Sequence, residues 1–390
     1  MGDGIVMSAK SLKRPGFSFL SRLLLLLQGL ILFVLLLGYL AAYIPPDRFW
    51  PLAFTGLVFP WIALLNILML PLWLFVRPKF MFIPVLSTLL IWGRLGNFMQ
   101  FNRQPAGIEK SDSNINLLSY NVRLFDLYNW KHGRISQLTD SIFQYINASQ
   151  PDLLCIQEFH AGKHDDVVIA DSIRKYSGLK HEYIIYTSFN GKVRPYGIAT
   201  FSRWPIVNAG IIRFKDNVFN TCVYTDIVKN GDTLRLFNLH LESIQLSEED
   251  YLFVTELRKR QEDSDFFSER SKKILRKLQG AFIRRASQAR AVGEKITESP
   301  YPVIVCGDFN DTPSSYAYHQ IAANLTDAYR KAGKGISETY AGNLMPYFRI
   351  DYLLYQDKYF TALNFDRLKK VWSDHYPIKS LLVFNPPAQK

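Results

Sequence analysis

The side chains with chemistry to offer in this 390-residue chain are acids, amides and histidines that fall at the ends of short apolar runs. In the stretch 301–313, YPVIVCGDFNDTP, residues Val303, Ile304, Val305 and Cys306 read as a buried strand, and Gly307 opens a polar turn that carries Asp308 and Asn310. A strand end opening into a loop is where α/β proteins hold catalytic side chains. Taken alone, the segment reads equally well as an ordinary Asp/Asn/Pro turn. Other strand-like runs end or begin in the same way, and together they supply Asn121, Glu158, His240, Asp351, Asp374 and His375. Such a set suits hydrolysis of a phosphodiester, which needs a hard cation to neutralise phosphate charge, a base to orient water in line and a donor for the leaving oxygen. Rich in carboxylates and poor in histidine, it favours Mg²⁺ or Mn²⁺ over Zn²⁺. Cys155, Cys222 and Cys306 are odd in number and widely spaced in apolar runs, which suits neither a disulfide framework nor a zinc site.

The elements that must position these residues are legible in outline. Strands are expected over 115–119, 152–157, 303–306, 352–355 and 378–384, with strand pairs 183–187/197–202 and 219–228/233–241 around the turn signals Asn190-Gly191 and Asn230-Gly231. Ile135, Leu138, Ile142, Tyr145 and Ile146 recur at helical spacing, and a shorter helix is expected at 316–323. Clustered strands with helices between them argue for an α/β protein with mainly antiparallel sheets. The segment 258–290 holds eleven Lys/Arg against four Asp/Glu. It is either a solvated helix face packed by Leu275, Leu278, Phe282 and Val292, or a basic surface for anionic lipid or a nucleic-acid backbone. His132, His181 and His319 show no partner pattern, His160 and His164 in FHAGKHDD read as loop residues rather than as a metal site, and Tyr196 reads either as a packing residue or as a phosphate contact.

The formal net charge is +12, of which residues 1–110 contribute +7. That region (1–101, with a linker at 102–112) reads as a membrane part. The uncharged run 23–44 and the run 52–76, which contains Pro60 and Pro71, are each long enough to cross about 30 Å of hydrocarbon as a helix. A third run, 80–98, contains Pro84 and Arg94 and is either a third span or an interfacial segment. Lys10, Lys13, Arg14 and Arg22 precede the first run, and Arg77 and Lys79 follow the second, so both places are expected inside. A true third span then delivers the remainder, 113–386, to the outer face of a bacterial cytoplasmic membrane. An interfacial third segment keeps it in the cytoplasm.

SYNVR, IQE, NLHLES, GDFND, RIDYLL and SDHYP, in this order between residues 113 and 384, resemble the motifs of the endonuclease/exonuclease/phosphatase family. The resemblance implies a deoxyribonuclease-like fold, two β-sheets packed between layers of helices, and a Mg²⁺- or Mn²⁺-dependent, nuclease-like phosphodiesterase; the membrane part makes a phospholipid or sphingolipid headgroup phosphodiesterase or phosphatase the rival reading, and a binding module on a catalytically dead fold is the remaining one. It implies Glu158 as the main metal ligand, with Asp374 and Asn121 close to the metal. It implies Asp308 as the group that orients or deprotonates water, and Asn310 as a phosphate contact. His375 would contact phosphate while paired with Asp351, His240 would be a second phosphate contact or the leaving-group acid, and Thr200 would line the site. Arg123 departs from the family pattern, since several nuclease branches have an acid there. The bilayer is the other partner expected, and no obligate protein partner is.

Overall fold

The computed structural model describes residues 18–386 apart from 104–110, 127–134, 161–162, 165–166, 190–191, 215–219, 248, 251, 254–263 and 343–347. The turn Asn190-Gly191, His132, the start of the basic segment and most of the expected linker therefore lie outside the described residues. The chain begins with α1 (Phe19–Leu40), a single turn α2 (Pro46–Phe49), α3 (Pro51–Val76) and α4 (Phe82–Leu95). With 22 and 26 residues, α1 and α3 are long and apolar enough to cross a membrane. At 1.5 Å per residue the 14-residue α4 reaches only about 21 Å. Large apolar side chains such as Leu26, Phe33, Leu68 and Phe75 face outward from these helices, and the polar ones face inward. Gln28 Nε2 donates to Asn66 Oδ1 at 3.0 Å, Trp73 Nε1 to Gln28 Oε1 at 3.2 Å, and Asn66 Nδ2 to Thr88 Oγ1 at 3.0 Å, so one buried network joins α1, α3 and α4. This inversion of the usual inside-out pattern fits a lipid-facing exterior with polar groups as interhelical glue.

After α4 come β1 (Met99–Phe101), β2 (Asn114–Asn121), α5 (Ile135–Ser149), β3 (Leu153–His160), the short pair β4 (Lys163–His164) and β5 (Val167–Val168), and α6 (Ile169–Ser177). Next follow β6 (His181–Phe189), β7 (Lys192–Ser202), β8 (Ile206–Ile212), β9 (Thr221–Lys229), β10 (Asp232–His240) and the long helix α7 (Ser264–Thr297). The chain ends with β11 (Val303–Asp308), α8 (Tyr316–Ala322), β12 (Thr326–Asp327), α9 (Ala328–Ala332), β13 (Lys334–Ile336), β14 (Asp351–Tyr355), β15 (Phe360–Ala362), β16 (Asp366–Arg367) and β17 (Ile378–Phe384). One sheet has the order β15-β17-β2-β3-β7-β6, with β16 on β17, and the other β12-β14-β11-β10-β9-β8. The β9–β10 turn is made by Asn230 (φ 54°) and Gly231 (φ 92°), the two positive φ values a tight hairpin turn requires.

Four layers result. Ile115, Leu117, Leu153 and Cys155 of the first sheet meet Leu236, Ile304, Cys306 and Leu353 of the second in the central core. Alternate residues of the same strands point outward: Leu118, Tyr120, Leu154 and Ile156 pack under α5 and α6, and Val303 and Val305 under α7 and α8. Burial on both faces explains why the central strands read as unbroken apolar runs. Each large side chain so buried contributes about 1.5–3 kcal/mol.

The helical unit meets the sandwich through one of its ends. Asp47 pairs with Arg290 of α7 at 3.0 Å, Phe54 packs edge-on against Phe282, and Tyr43 against His319 of α8. Thr312, in the loop after β11, donates its hydroxyl to Gly56 O at 3.5 Å. The C-terminal end of α4 lies at this same end, because the Arg94 guanidinium sits 4.1 Å from the Tyr39 ring centre and β1 pairs antiparallel with β13.

Candidate active site

Parallel strand pairs fix where the site forms. β2–β3 in one sheet and β10–β11 in the other each run parallel, so their C-terminal ends share a rim. The register sets His240 beside Asp308 and, through antiparallel β14, Asp351 beside Asp308. Between the sheets, Asn121 Nδ2 lies 3.1 Å from Glu158 Oε1 and 3.0 Å from Asp308 Oδ2. Glu158 reaches the cleft through a bulge, because the β3–β7 register shifts between Gln157 and Phe159 and Glu158 takes φ 50°. Gly307 has φ +132°, and a Cβ there would stand 2.0 Å from Leu239 O, so only glycine lets β11 close on β10 one residue before Asp308.

His240 Nε2 lies 3.6 Å from both Glu158 Oε1 and Asp308 Oδ2, and it is buried without a hydrogen bond among the described residues. His375 Nε2 lies 3.6 Å from Asp308 Oδ2, while its Nδ1 is 2.9 Å and 3.1 Å from the two oxygens of Asp351. Thr339 Oγ1 accepts the backbone N–H groups of Ile350 and Asp351 at 2.9 and 3.0 Å, which pins the start of β14. Ser373 Oγ lies 2.8 Å from Asn121 O and 3.2 Å from Asp374 Oδ1, joining the last motif to the first.

Burial pushes the Asp308 carboxyl up to about 6; Asp351 adds to the rise, and the two histidines oppose it. Burial also raises Glu158, and the nearby Asp374 charge adds to that. The same burial disfavours charge on both imidazoles. At His240 it prevails and the pKa falls. At His375 the carboxylates of Asp351 and Asp308 outweigh it and hold the pKa well above the ordinary histidine value. The two imidazoles beside the same carboxylate are thus pushed in opposite directions.

Two kinds of oxygen-rich grouping are present. Asp308, Asp351 and His375 offer ligand atoms within 4.8 Å of one another, with His375 Nδ1 already engaged by both Asp351 oxygens. Glu158 and Asp374 are carboxylates whose mutual repulsion a hard cation relieves, and Glu158 is open enough to bind one, its side chain 29% exposed against 1% for Asp308. Arg123 stands where a further acid would serve, its Nε 3.6 Å from Asp374 Oδ2.

The structure therefore brings together Asn121, Glu158, His240, Asp308, Asn310, Asp351, Asp374 and His375. Asn310, at φ 51°, donates its backbone N–H to Asp308 Oδ1 at 2.7 Å and its Nδ2 to Leu241 O at 2.9 Å. Thr200 sits elsewhere than expected. It is fully buried between the sheets with its hydroxyl 3.2 Å from Asn238 Nδ2, so it reaches the rim only through Asn238. The sequence offered no sign of Ser373 and Thr339, whose roles depend on backbone partners. Of the two readings of Tyr196, its place fits an approach to the site: it lines a cleft of about 270 Å³ together with Glu158, His240, Asn220, Ser243 and Gln245.

A two-sheet sandwich between helical layers, with acids, amides and histidines gathered on one rim, has the deoxyribonuclease-like architecture. The chain belongs to the endonuclease/exonuclease/phosphatase family, whose family model matches residues 118–375. A second family model, for a domain of unknown function, matches residues 21–98. A search of curated proteins returns no match. Among solved structures, an endonuclease/exonuclease/phosphatase from Bacteroides vulgatus is similar at 17% identity, covering 71% of this chain and 100% of that one, with a TM-score of 0.52. A family protein from Bacteroides thetaiotaomicron is 19% identical over 70% of this chain and 98% of its own, with a TM-score of 0.50. The human Nocturnin catalytic domain with bound sulfate anion is 18% identical over 70% and 95%, with a TM-score of 0.50. At these identities the likeness speaks for the fold.

Proposed function

We propose that the chain is a membrane-tethered hydrolase of phosphodiester bonds that works with Mg²⁺ or Mn²⁺. The observation that carries this reading is the buried Asp308 carboxylate with His240 and His375 each at 3.6 Å, beside a more open Glu158. Glu158 and Asp374, with Asn121, would hold the cation, which when bound would neutralise phosphate charge. With Arg123 in the set, the donors suit one cation rather than two. Asp308 orients the attacking water and takes its proton, a task matched by a pKa near 6. His375, kept cationic by Asp351, donates to a phosphate oxygen. His240, with its lowered pKa, suits a hydrogen bond to phosphate better than acid catalysis. Asn310 has a second N–H on Nδ2 to offer the phosphate.

A lipid headgroup is favoured over nucleic acid by one further observation. Much of the charge of the basic helix α7 is paired with carboxylates: Arg284 with Glu242, Arg285 with Asp311 and Arg290 with Asp47, each at 3.0 Å, and Lys277 with Asp250 at 2.5 Å, Arg285 being the buried one. Among the described residues lining the cleft there is no Lys or Arg to track a polyanion. The docking of the helical unit also bears on sidedness. The sandwich meets one end of the helices, whereas Arg77 and Lys79 lie at the other end of α3, which argues for a sandwich outside a cytoplasmic membrane. The full chain in detergent, wild type beside Asp308→Ala, should be assayed with Mg²⁺ on plasmid DNA and on phosphatidylglycerol vesicles. Headgroup release without nicking supports the lipid reading. Nicking abolished by the substitution supports a nuclease, and no turnover of either substrate contradicts the hydrolase.

A further inference from the structure

We infer that a second pocket, away from the catalytic rim, binds the phosphodiester of a phospholipid headgroup and seats the sandwich on the bilayer. The pocket encloses about 250 Å³ and is lined by Lys334, Ser337, Asp366 and Arg367 over an aromatic floor of Tyr329 and Phe365. Two of its polar groups are buried without a hydrogen bond among the described residues: the Ser337 hydroxyl, on a residue 3% exposed, and Arg367 Nε. Leaving such buried groups unsatisfied is costly, so they mark a place that suits a ligand oxygen. Arg367 is held for the purpose, its Nη1 donating to Ile336 O at 2.8 Å and also to Glu338 O.

The position of the pocket points to lipid. Lys334 and Ile336 belong to β13, whose partner β1 begins four residues after α4 ends, and Ser337 donates its backbone N–H to Phe98 O at 2.9 Å. Registers Met99↔Ile336 and Phe101↔Lys334 place these four side chains on one face of a two-stranded ribbon. Met99, Phe101 and Ile336 are 45%, 82% and 42% exposed, so the ribbon presents apolar side chains and a lysine beside the end of a membrane helix. That is the composition of an interfacial surface, and Lys334 and Ile336 of the ribbon also line the pocket. Charge narrows the ligand. Lys334 and Arg367 against the Asp366 carboxylate leave one net positive charge, which matches the single negative charge of a phosphodiester. Inorganic phosphate carries more negative charge near neutral pH and meets Asp366 unfavourably.

The inference rests on membrane insertion of α1 and α3 but not on the catalytic reading. Alkaline carbonate extraction of membranes tests insertion separately, since a chain released into the soluble fraction refutes insertion itself. Native mass spectrometry of the full chain from detergent, titrated with a short-chain phosphatidylglycerol and in parallel with inorganic phosphate, tests the pocket. The wild type should retain one lipid and bind inorganic phosphate at least tenfold more weakly. Ser337→Ala with Lys334→Gln should weaken lipid binding at least tenfold, and Asp366→Asn should narrow the gap between lipid and phosphate. These side chains make no cross-strand hydrogen bond that folding requires, so the double variant remains informative if Arg367→Gln misfolds. Unchanged lipid retention in the double variant, no retained lipid in the wild type, or equal affinity for inorganic phosphate would each overturn the inference.

Discussion

Replacing Asp351 by Asn removes the charge that keeps His375 protonated while leaving the shape of the site almost unchanged. Both Asp351 oxygens lie within 3.1 Å of His375 Nδ1, and the pair is nearly sealed from solvent, with side chains 4% and 6% exposed. A charge-assisted hydrogen bond in such a place is worth about 1.5–3 kcal/mol. If that energy serves to hold an imidazolium against the phosphate, its loss lowers kcat/KM by about 10- to 150-fold. The pH profile separates this role from a merely structural one. In the wild type the raised pKa of His375 extends the cation to higher pH than an ordinary histidine allows, so the basic limb of activity lies above the ordinary histidine range. In Asp351→Asn the burial that opposes the charge goes uncompensated by Asp351, and the basic limb should move to lower pH. The assay is hydrolysis of bis(4-nitrophenyl) phosphate by the full chain with saturating Mg²⁺, across pH, with circular dichroism to confirm folding. A folded variant with a loss below about threefold and an unmoved basic limb would refute the reasoning.

Asp308 must be ionised to act as a base, and burial holds its pKa at about 6, so kcat/KM should rise as pH increases through a midpoint at or somewhat below 6; a flat profile from pH 5 to 8 would contradict this role. Asp308→Asn should cost about 10²–10⁴-fold in turnover without altering the unfolding midpoint by more than a few degrees. Gly307→Ala forces a Cβ against Leu239 O at 2.0 Å and should both destabilise the fold and displace Asp308, which thermal unfolding and turnover together would register. Asn66→Leu removes donors and an acceptor shared by α1, α3 and α4; at about 0.6 kcal/mol per interhelical hydrogen bond it should lower resistance to unfolding in mild detergent by about 1–2 kcal/mol.

The acids and histidines were legible because their chemistry and their strand-end positions coincide: Asp308 and His240 each follow a run of β-forming residues, and Asp351 begins one. The way Glu158 and Gly307 work was not. A bulge at Glu158 depends on the register with β7, and the need for glycine at 307 depends on how near Leu239 O comes. Strand β8, Ile206–Ile212, passed unread because an edge strand half in solvent, interrupted by Asn208 and Gly210, lacks a clean alternation. The charge of α7 could be read either as a solvated face or as a basic surface, because its carboxylate partners Glu242, Asp311 and Asp47 come from three distant segments. Gln28 and Asn66 were two amides in apolar runs, and only the antiparallel packing of α1 on α3 makes them partners.

Glu158 and Asp374 are proposed to hold a catalytic cation next to the Asp308 base, and Mg²⁺ titration of phosphodiester turnover by the full chain, comparing the wild type with Glu158→Gln, tests this most directly. Activity should be abolished by EDTA and restored by Mg²⁺ or Mn²⁺, with the variant needing at least tenfold more Mg²⁺ for half-maximal turnover. Activity indifferent to EDTA, or a variant with the wild-type Mg²⁺ requirement, would contradict it.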